Sequence, residues 1–379
     1  MGPNARALST AEAVPDTVAG ADWIVAGSPL FAFRLPTDDI RETIRKKSAS
    51  FPSPPDLSHP PMRAWLDAFP DRAMHHHVID EEDLARCARL LGGQATGLVL
   101  SGGGARGFAH IGAVRALRER GIRFDYIGGC SAGAVVGAGF AAGWDEAQLA
   151  RGMRSAFVDH DPLSDRTLPL VAMSSGRRVS RALRALFGER RIEDLRIPFF
   201  CVSTDLTEGS LHVHERDLLW TALRASSALP GLVPPVFHRG RVLVDGGVID
   251  NLPVDQMQRR ISGRIVAVDV GGSYRLETTL EETALPSSWL EFLRQWRQKK
   301  YPSIGRILWR AAMVNSEANA SRQRRLSSLL LRPPLAGVDL LDWKKFGEVV
   351  ELGYRDTLRH LQTLPQGRPS LPAEQINEP

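Results

Sequence analysis

Cysteine is scarce in this chain. Cys87, Cys130 and Cys201 are all of it in 379 residues, and no two stand in a C-x-x-C spacing. That excludes a disulfide framework and a cysteine-ligated zinc site, and it fits a reducing compartment. No secretory leader is expected either: Trp23 to Phe33 is free of charge but lacks a basic stretch before it and a clear cleavage site. Position 6 is Arg rather than Ser or Thr, so Gly2 does not open a myristoylation signal. The net charge of +5 comes without any basic run interleaved with aromatics, so no nucleic-acid partner is expected. The same charge fits attraction to an anionic membrane surface.

One run does lack charge altogether. Tyr126 to Trp144 is about as long as a membrane span. It holds six glycines, however, and a buried strand, turn and helix explain it better. With 43% hydrophobic and 24% charged residues, the composition is that of a globular protein large enough for one big core or two modest ones.

Residues 1–74 divide into a disordered lead, rich in Ala, Pro and Asp, and an extended arm studded with Pro36, Pro52, Pro54, Pro55, Pro60 and Pro61. The triplet His75-His76-His77 invites a metal, but three consecutive side chains do not converge on one ion, and none is expected. A helix is expected from Asp80 to Leu91, stopped by Gly92-Gly93. From Gly97 the pattern becomes that of an α/β domain. An apolar strand, Gly97 to Ser101, runs into Gly102-Gly103-Gly104-Ala105-Arg106-Gly107. A helix with Phe108, Ile111, Val114 and Leu117 on one face follows, then a strand at Phe124 to Ile127. Such a βαβ unit is right-handed and makes the sheet largely parallel. Further strands are expected at Pro198–Ser203, Arg241–Asp245 and Arg264–Asp269.

Three stretches of this domain carry chemistry. Gly129-Cys130-Ser131-Ala132-Gly133 is a G-x-S-x-G pattern, which sets a serine on a sharp strand-to-helix turn with backbone N–H groups close by. The strand Val242-Leu243-Val244 ends in Asp245 and breaks on Gly246-Gly247, placing a carboxylate at a strand's carboxyl end, where α/β sheets keep their sites. The glycine loop is ambiguous. It is no P-loop, because Phe108-Ala109 stand where Lys and Ser/Thr are required. It does satisfy the dinucleotide pattern, with Asp125 near the right distance for a ribose contact. A third reading is an oxyanion hole, but taken alone the loop favours the dinucleotide. Arg106 falls in the first turn of a helix, where a cation is disfavoured, so it is either compensated nearby or faces an anionic substrate group.

Taken in order, Ser101-Gly102-Gly103-Gly104-Ala105-Arg106-Gly107, Gly129 to Gly133 and Asp245-Gly246-Gly247 resemble the patatin-like phospholipase family. Gly107-Phe108-Ala109-His110-Ile111-Gly112, the histidine triplet, Leu331-Arg332-Pro333-Pro334 and Leu341-Asp342-Trp343 are similar to its branch related to neuropathy target esterase. The resemblance covers about residues 75–360. It implies a three-layer α/β/α sandwich with a mostly parallel central sheet, a Ser131–Asp245 dyad, Gly102, Gly103 and Gly104 as oxyanion donors, no cofactor, and a phospholipid or lysophospholipid ester as substrate. Arg106 is the candidate substrate contact. The cyclic-nucleotide modules common in that branch find no counterpart here. The rival function is an inactive or nucleotide-binding module that holds phosphates on the Gly102–Gly107 loop. A triad is the rival mechanism, with His110, His212, His214 or His238 as third member.

The division expected is 1–74 lead and arm, 75–275 catalytic core, 276–365 a mostly helical extension packed on the core, and 366–379 a tail. Within the extension, Trp289, Phe292, Leu293 and Trp296 share one helical face between Ser288 and Tyr301. Arg294, Arg297, Lys299, Lys300, Arg306 and Arg310 follow with no acid among them. That is the composition of an interfacial helix, and it implies a cytoplasmic protein peripheral to the inner face of the membrane. The alternative is that the aromatic face packs on the core.

Overall fold

The computed structural model describes residues 81–168, 171–272 and 304–363, together with Ser288, Arg294 and the backbone of four short strands nearer the N-terminus. Those strands, β1 (Ala5–Leu8), β2 (Trp23–Ala26), β3 (Leu30–Arg34) and β4 (His75–Val78), pair in that order into a small sheet, so the histidine triplet is extended backbone. The helix expected between Ser288 and Tyr301 lies, apart from those two single residues, outside the described residues.

The main domain runs α1 (Glu81–Leu91), β5 (Ala95–Leu100), α2 (Ala109–Glu119), β6 (Tyr126–Cys130), α3 (Ser131–Ala141), α4 (Glu146–Met153) and α5 (Arg177–Phe187). It continues through β7 (Phe199–Asp205), β8 (Ser210–His214), α6 (Leu219–Ser226), β9 (Val236–His238), β10 (Arg241–Asp245), α7 (Val254–Gln258) and β11 (Gly263–Val268). After residue 275 come α8 (Ile304–Arg325), β12 (Leu329–Leu331) and α9 (Phe346–Thr363). The charge-free run is β6 turning into α3, and among the described residues no helix is long and apolar enough to cross a membrane.

The strands form one sheet in the order β12-β11-β5-β6-β7-β10-β9, with β8 also on β7. Neighbours from β12 to β7 are parallel; β8, β9 and β10 are antiparallel. Side chains alternate between two cores, as a period of two requires. Leu98 and Leu100 of β5 point to one, Ala95 and Val99 to the other; Phe199 and Cys201 of β7 oppose Phe200 and Val202. The first core is covered by α2, α3, α4, α5, α6 and α9, the second by α1 and α7. This gives the three layers. The stretch after residue 275 supplies more than helices, because β12 extends the sheet beyond β11. Its α9 lies on α2 with backbones nearly touching: a Cβ on Gly112 would collide with the Val350 carbonyl, and one on Gly353 with that of Ala109.

What positions the site is the way β7 is shared. Its first half pairs in parallel with β6, ending at Cys130 opposite Val202. Its second half pairs antiparallel with β10, ending at Asp245 opposite Ser203. β8 occupies the other edge along both halves. β6 and β10 therefore lie end to end along one edge of β7 and run toward each other, so that their carboxyl ends meet. A Cβ on Gly246 would stand 2.5 Å from the Val202 carbonyl, so the chain leaves this junction only through a glycine.

Candidate active site

Ser131 is the first residue past β6. It adopts φ 51, a left-handed conformation that a residue with a Cβ takes only under local constraint. Two contacts hold it there. Its N–H donates to Ser226 Oγ at 2.9 Å, and Gly133 lies so close beneath the Leu100 and Ser101 carbonyls that no side chain fits.

Asp245 faces it across the strand junction and is 1% exposed. Its Oδ1 accepts the Gly247 N–H at 2.8 Å and the Cys130 S–H at 3.7 Å. Burial holds that thiol protonated, well above its ordinary pKa, so it acts as a donor. Oδ2 is buried without a hydrogen bond of normal geometry. Among the described residues no cation pairs with the carboxyl. Burial raises its pKa to about 6, against smaller opposing effects of the Gly247 N–H, the Ser131 hydroxyl and the Cys130 thiol. A carboxylate with a pKa near 6 is a workable base near neutral pH, which an ordinary exposed aspartate is not.

The glycine loop closes the third side. A Cβ on Gly102 would stand 3.0 Å from Ser131 Cβ and 2.5 Å from Asn251 Oδ1. Asn251 clasps this residue: its carbonyl accepts the Gly102 N–H at 3.2 Å and its Nδ2 donates to the Gly102 carbonyl at 3.0 Å. The Gly102 amide, expected as an oxyanion donor, is thus committed to another partner. The N–H groups of Gly103 and Gly104 make no hydrogen bond among the described residues. Gly104 has φ +56, and a Cβ there would collide with the Leu340 carbonyl.

Arg106 does not face the site. Its Nε donates to the Val338 carbonyl at 2.7 Å, and its guanidinium lies against Gly272. The residue expected as the substrate contact is therefore tied to the C-terminal extension. None of the four histidines is bonded to Ser131 or Asp245 among the described residues. His110 is fully buried, with Nε2–H donating to the Ser101 carbonyl at 2.8 Å and its pKa lowered by burial to about 4. His214 bonds Ser203 Oγ at 2.8 Å, its pKa pushed down by burial to about 3. His212 packs edge-on to the His214 ring, and His238 approaches Asp217. Asp125 sits at the opposite edge of the sheet, bound to Arg89 and the Thr96 N–H, which removes the ribose contact from the dinucleotide reading.

Three supporting residues escaped the sequence reading: Ser226, Asn251 and Cys130 in its role as donor. A polar pair, Asp250-Asn251, between the Gly246-Gly247 turn and Pro253 was the available signal for one of them. Ser226 had none, since a serine at a helix end is ordinary.

Residues 98–257 match the patatin-like phospholipase family. Lysophospholipase NTE1 of Kluyveromyces lactis is 36% identical over 295 residues, which span 74% of this chain and 20% of that protein. An uncharacterized NTE family protein of Mycobacterium bovis is 33% identical over 309 residues, 80% of this chain and 52% of that one. The chain thus spans about a fifth of the fungal relative and about half of the mycobacterial one. Among solved structures, VipD from Legionella pneumophila superposes with a TM-score of 0.42 at 17% identity, over 71% of this chain and 67% of that one.

Proposed function

We propose, from the premise that this chain belongs to the patatin-like phospholipase family on its NTE-related branch, that it is a serine hydrolase of fatty-acyl esters in phospholipids or lysophospholipids. The observation that carries the reading is the head-on meeting of β6 and β10, which sets Ser131 against a buried carboxyl that no cation among the described residues pairs with.

In the proposed cycle Asp245 Oδ2 takes the proton of Ser131 Oγ as that oxygen attacks the ester carbonyl carbon. The carbonyl oxygen becomes an oxyanion within reach of the Gly103 and Gly104 amides, which face the first turn of a 3-10 helix and have no competing acceptor. Collapse breaks the bond to the alcohol, and the proton on Asp245 passes to the departing oxygen. Water then enters and gives a proton to Asp245. The resulting hydroxide attacks the acyl carbon, and the same proton returns to Ser131 as the fatty acid leaves. Every proton is accounted for by one carboxyl. The chemistry needs no cofactor, and the chain's positive charge favours work at an anionic lipid surface on the cytoplasmic side of a membrane.

The test is covalent labelling with a fluorophosphonate together with product profiling on phospholipid and lysophospholipid. Labelling and release of free fatty acid by the wild type, both absent in a folded Ser131→Ala protein, are the expected results. A nucleotide-binding module would leave the probe unreacted.

A further inference from the structure

The sheet's active edge is joined by one segment to the most exposed apolar part of the described surface. From Ser226, which holds the Ser131 amide, the chain passes Ala228, whose carbonyl accepts the Asp245 N–H at 2.9 Å. At Gly231 and Leu232 its carbonyls accept the N–H groups of Met173 and Ser174 at 2.9 and 3.0 Å. Those two belong to a hairpin closed by the bridge between Arg166 and Ser174. Leu168, Val171 and Met173 stand out from it 78%, 65% and 53% exposed, and Phe237, farther along the first segment on the edge strand β9, is 75% exposed. Large apolar side chains clustered at such exposure mark an interaction surface.

The charges beside the hairpin say what kind of partner it fits. Residues 165–184 carry Arg166, Arg177, Arg178, Arg181 and Arg184 against a single acid, Asp165. Asp165 is spent on the Ser174 and Ser175 hydroxyls and the Arg178 N–H. Arg184 pairs with Glu189, and Arg178 donates to the His160 carbonyl. Arg166, Arg177 and Arg181 are exposed and make no ion pair among the described residues. The acids of the preceding loop, Asp159 and Asp161, flank His160; Asp161 accepts the Leu163 N–H, and neither pairs with Arg166, Arg177 or Arg181 among the described residues. Exposed Leu168, Val171 and Met173, in one stretch with exposed guanidinium groups that make no ion pair among the described residues, are complementary to acyl chains beneath a layer of phosphates.

We propose that the Arg166–Ser174 hairpin, with the arginines at the start of α5, is the surface by which this protein seats on an anionic phospholipid bilayer. This rests on the lipid-ester reading of the Ser131 site, and it explains how an ester reaches a nearly buried nucleophile. At no more than about 3.5 Å per residue, the five residues from Ser226 to Gly231 put hairpin and serine within one lipid's length. Seating the hairpin brings the site mouth to the interface.

The experiment is co-sedimentation with vesicles of phosphatidylcholine alone or with phosphatidylglycerol, using the full chain carrying Ser131→Ala so that the vesicles stay intact. Binding to the anionic vesicles at low salt is expected. Val171→Asp, or Arg177→Gln with Arg181→Gln, should weaken it at least tenfold, with circular dichroism unchanged. Val171→Cys bearing an environment-sensitive fluorophore should shift to the blue on anionic vesicles; the native cysteines are all buried and stay unlabelled. Unchanged binding in those variants, an unshifted fluorophore, loss confined to Trp289→Ala and the Lys299 and Lys300 variants, or self-association through the hairpin would each overturn the proposal. Failure of the esterase reading shows separately, as a wild type that binds vesicles and releases no fatty acid.

Discussion

Asp125 and Asp245 are both buried carboxylates bordering strands of one sheet, and they differ in everything that decides their use. Asp125 precedes β6 at the amino edge of the parallel strands, where Arg89 pairs with it at 2.7 Å and the Thr96 N–H bonds its other oxygen at 2.8 Å. Asp245 ends β10 at the carboxyl edge with the Gly247 N–H and the Cys130 thiol on one oxygen, the Ser131 hydroxyl as its further neighbour, and no cation paired with it among the described residues. A compensated carboxylate is a fastener. An uncompensated one carries a raised pKa and therefore an appetite for a proton.

The sharpest way to break the contrast is to remove the reacting groups. Ser131→Ala and Asp245→Asn should each lower kcat/KM by at least about 10³-fold, and the double variant little further, because the two act as one unit. Hydrolysis of a soluble ester measures it; an active Asp245→Asn protein would put a histidine back in the mechanism. Gly104→Ala should come next. Its Cβ would displace the loop from the Leu340 carbonyl, and losing one oxyanion donor typically lowers kcat by about 10²–10³-fold.

The pH profile sharpens the comparison further. With Asp245 titrating at about 6, kcat/KM should fall about tenfold per unit below that value and level off above it. The linkage runs in the same direction. A carboxyl whose folded pKa exceeds its unfolded value of 3.8 destabilises the fold as it ionises, so this contribution is lost as pH rises from about 4 through about 6, and it amounts to about 3 kcal/mol. Asp245→Asn should therefore melt higher than the wild type at pH 8, with the gap closing toward pH 4. Smallest in its effect on activity is Asp125→Ala. It should destabilise the fold by about 1–3 kcal/mol by orphaning the Thr96 N–H and leaving Arg89 with Glu82 alone, yet leave turnover per folded molecule unchanged.

The sequence was legible where local rules decide. β10 occupies Arg241–Asp245 as read, and the strands flanking the glycine loop and serine shift by only a few residues. β8, β9 and β12 went unread, being three to five residues long, although Gly209 marks the turn before β8. The placement of Asp245 was anticipated for an incomplete reason. A strand's carboxyl end lines the crevice only when the strand is parallel to its neighbours, and β10 is antiparallel. It reaches Ser131 because β7 extends past the end of β6, a fact of pairing that no single segment reveals. The commitment of the Gly102 amide and the turning away of Arg106 depend on Asn251 and Val338, distant partners invisible to local patterns.

That shared edge of β7 also sets when the protein can act. Cys130 and Asp245 stand 115 residues apart, and nothing local brings them together. A nascent chain that has released β6 and β7 already has a serine on its turn, but the Asp245 carboxyl joins it only when β10 arrives. β10 reaches that place only by pairing with β7, and such non-local pairing is among the slower events of folding. On the reading proposed above, Ser131 thus gains its partner carboxyl only when the chain completes its own sheet.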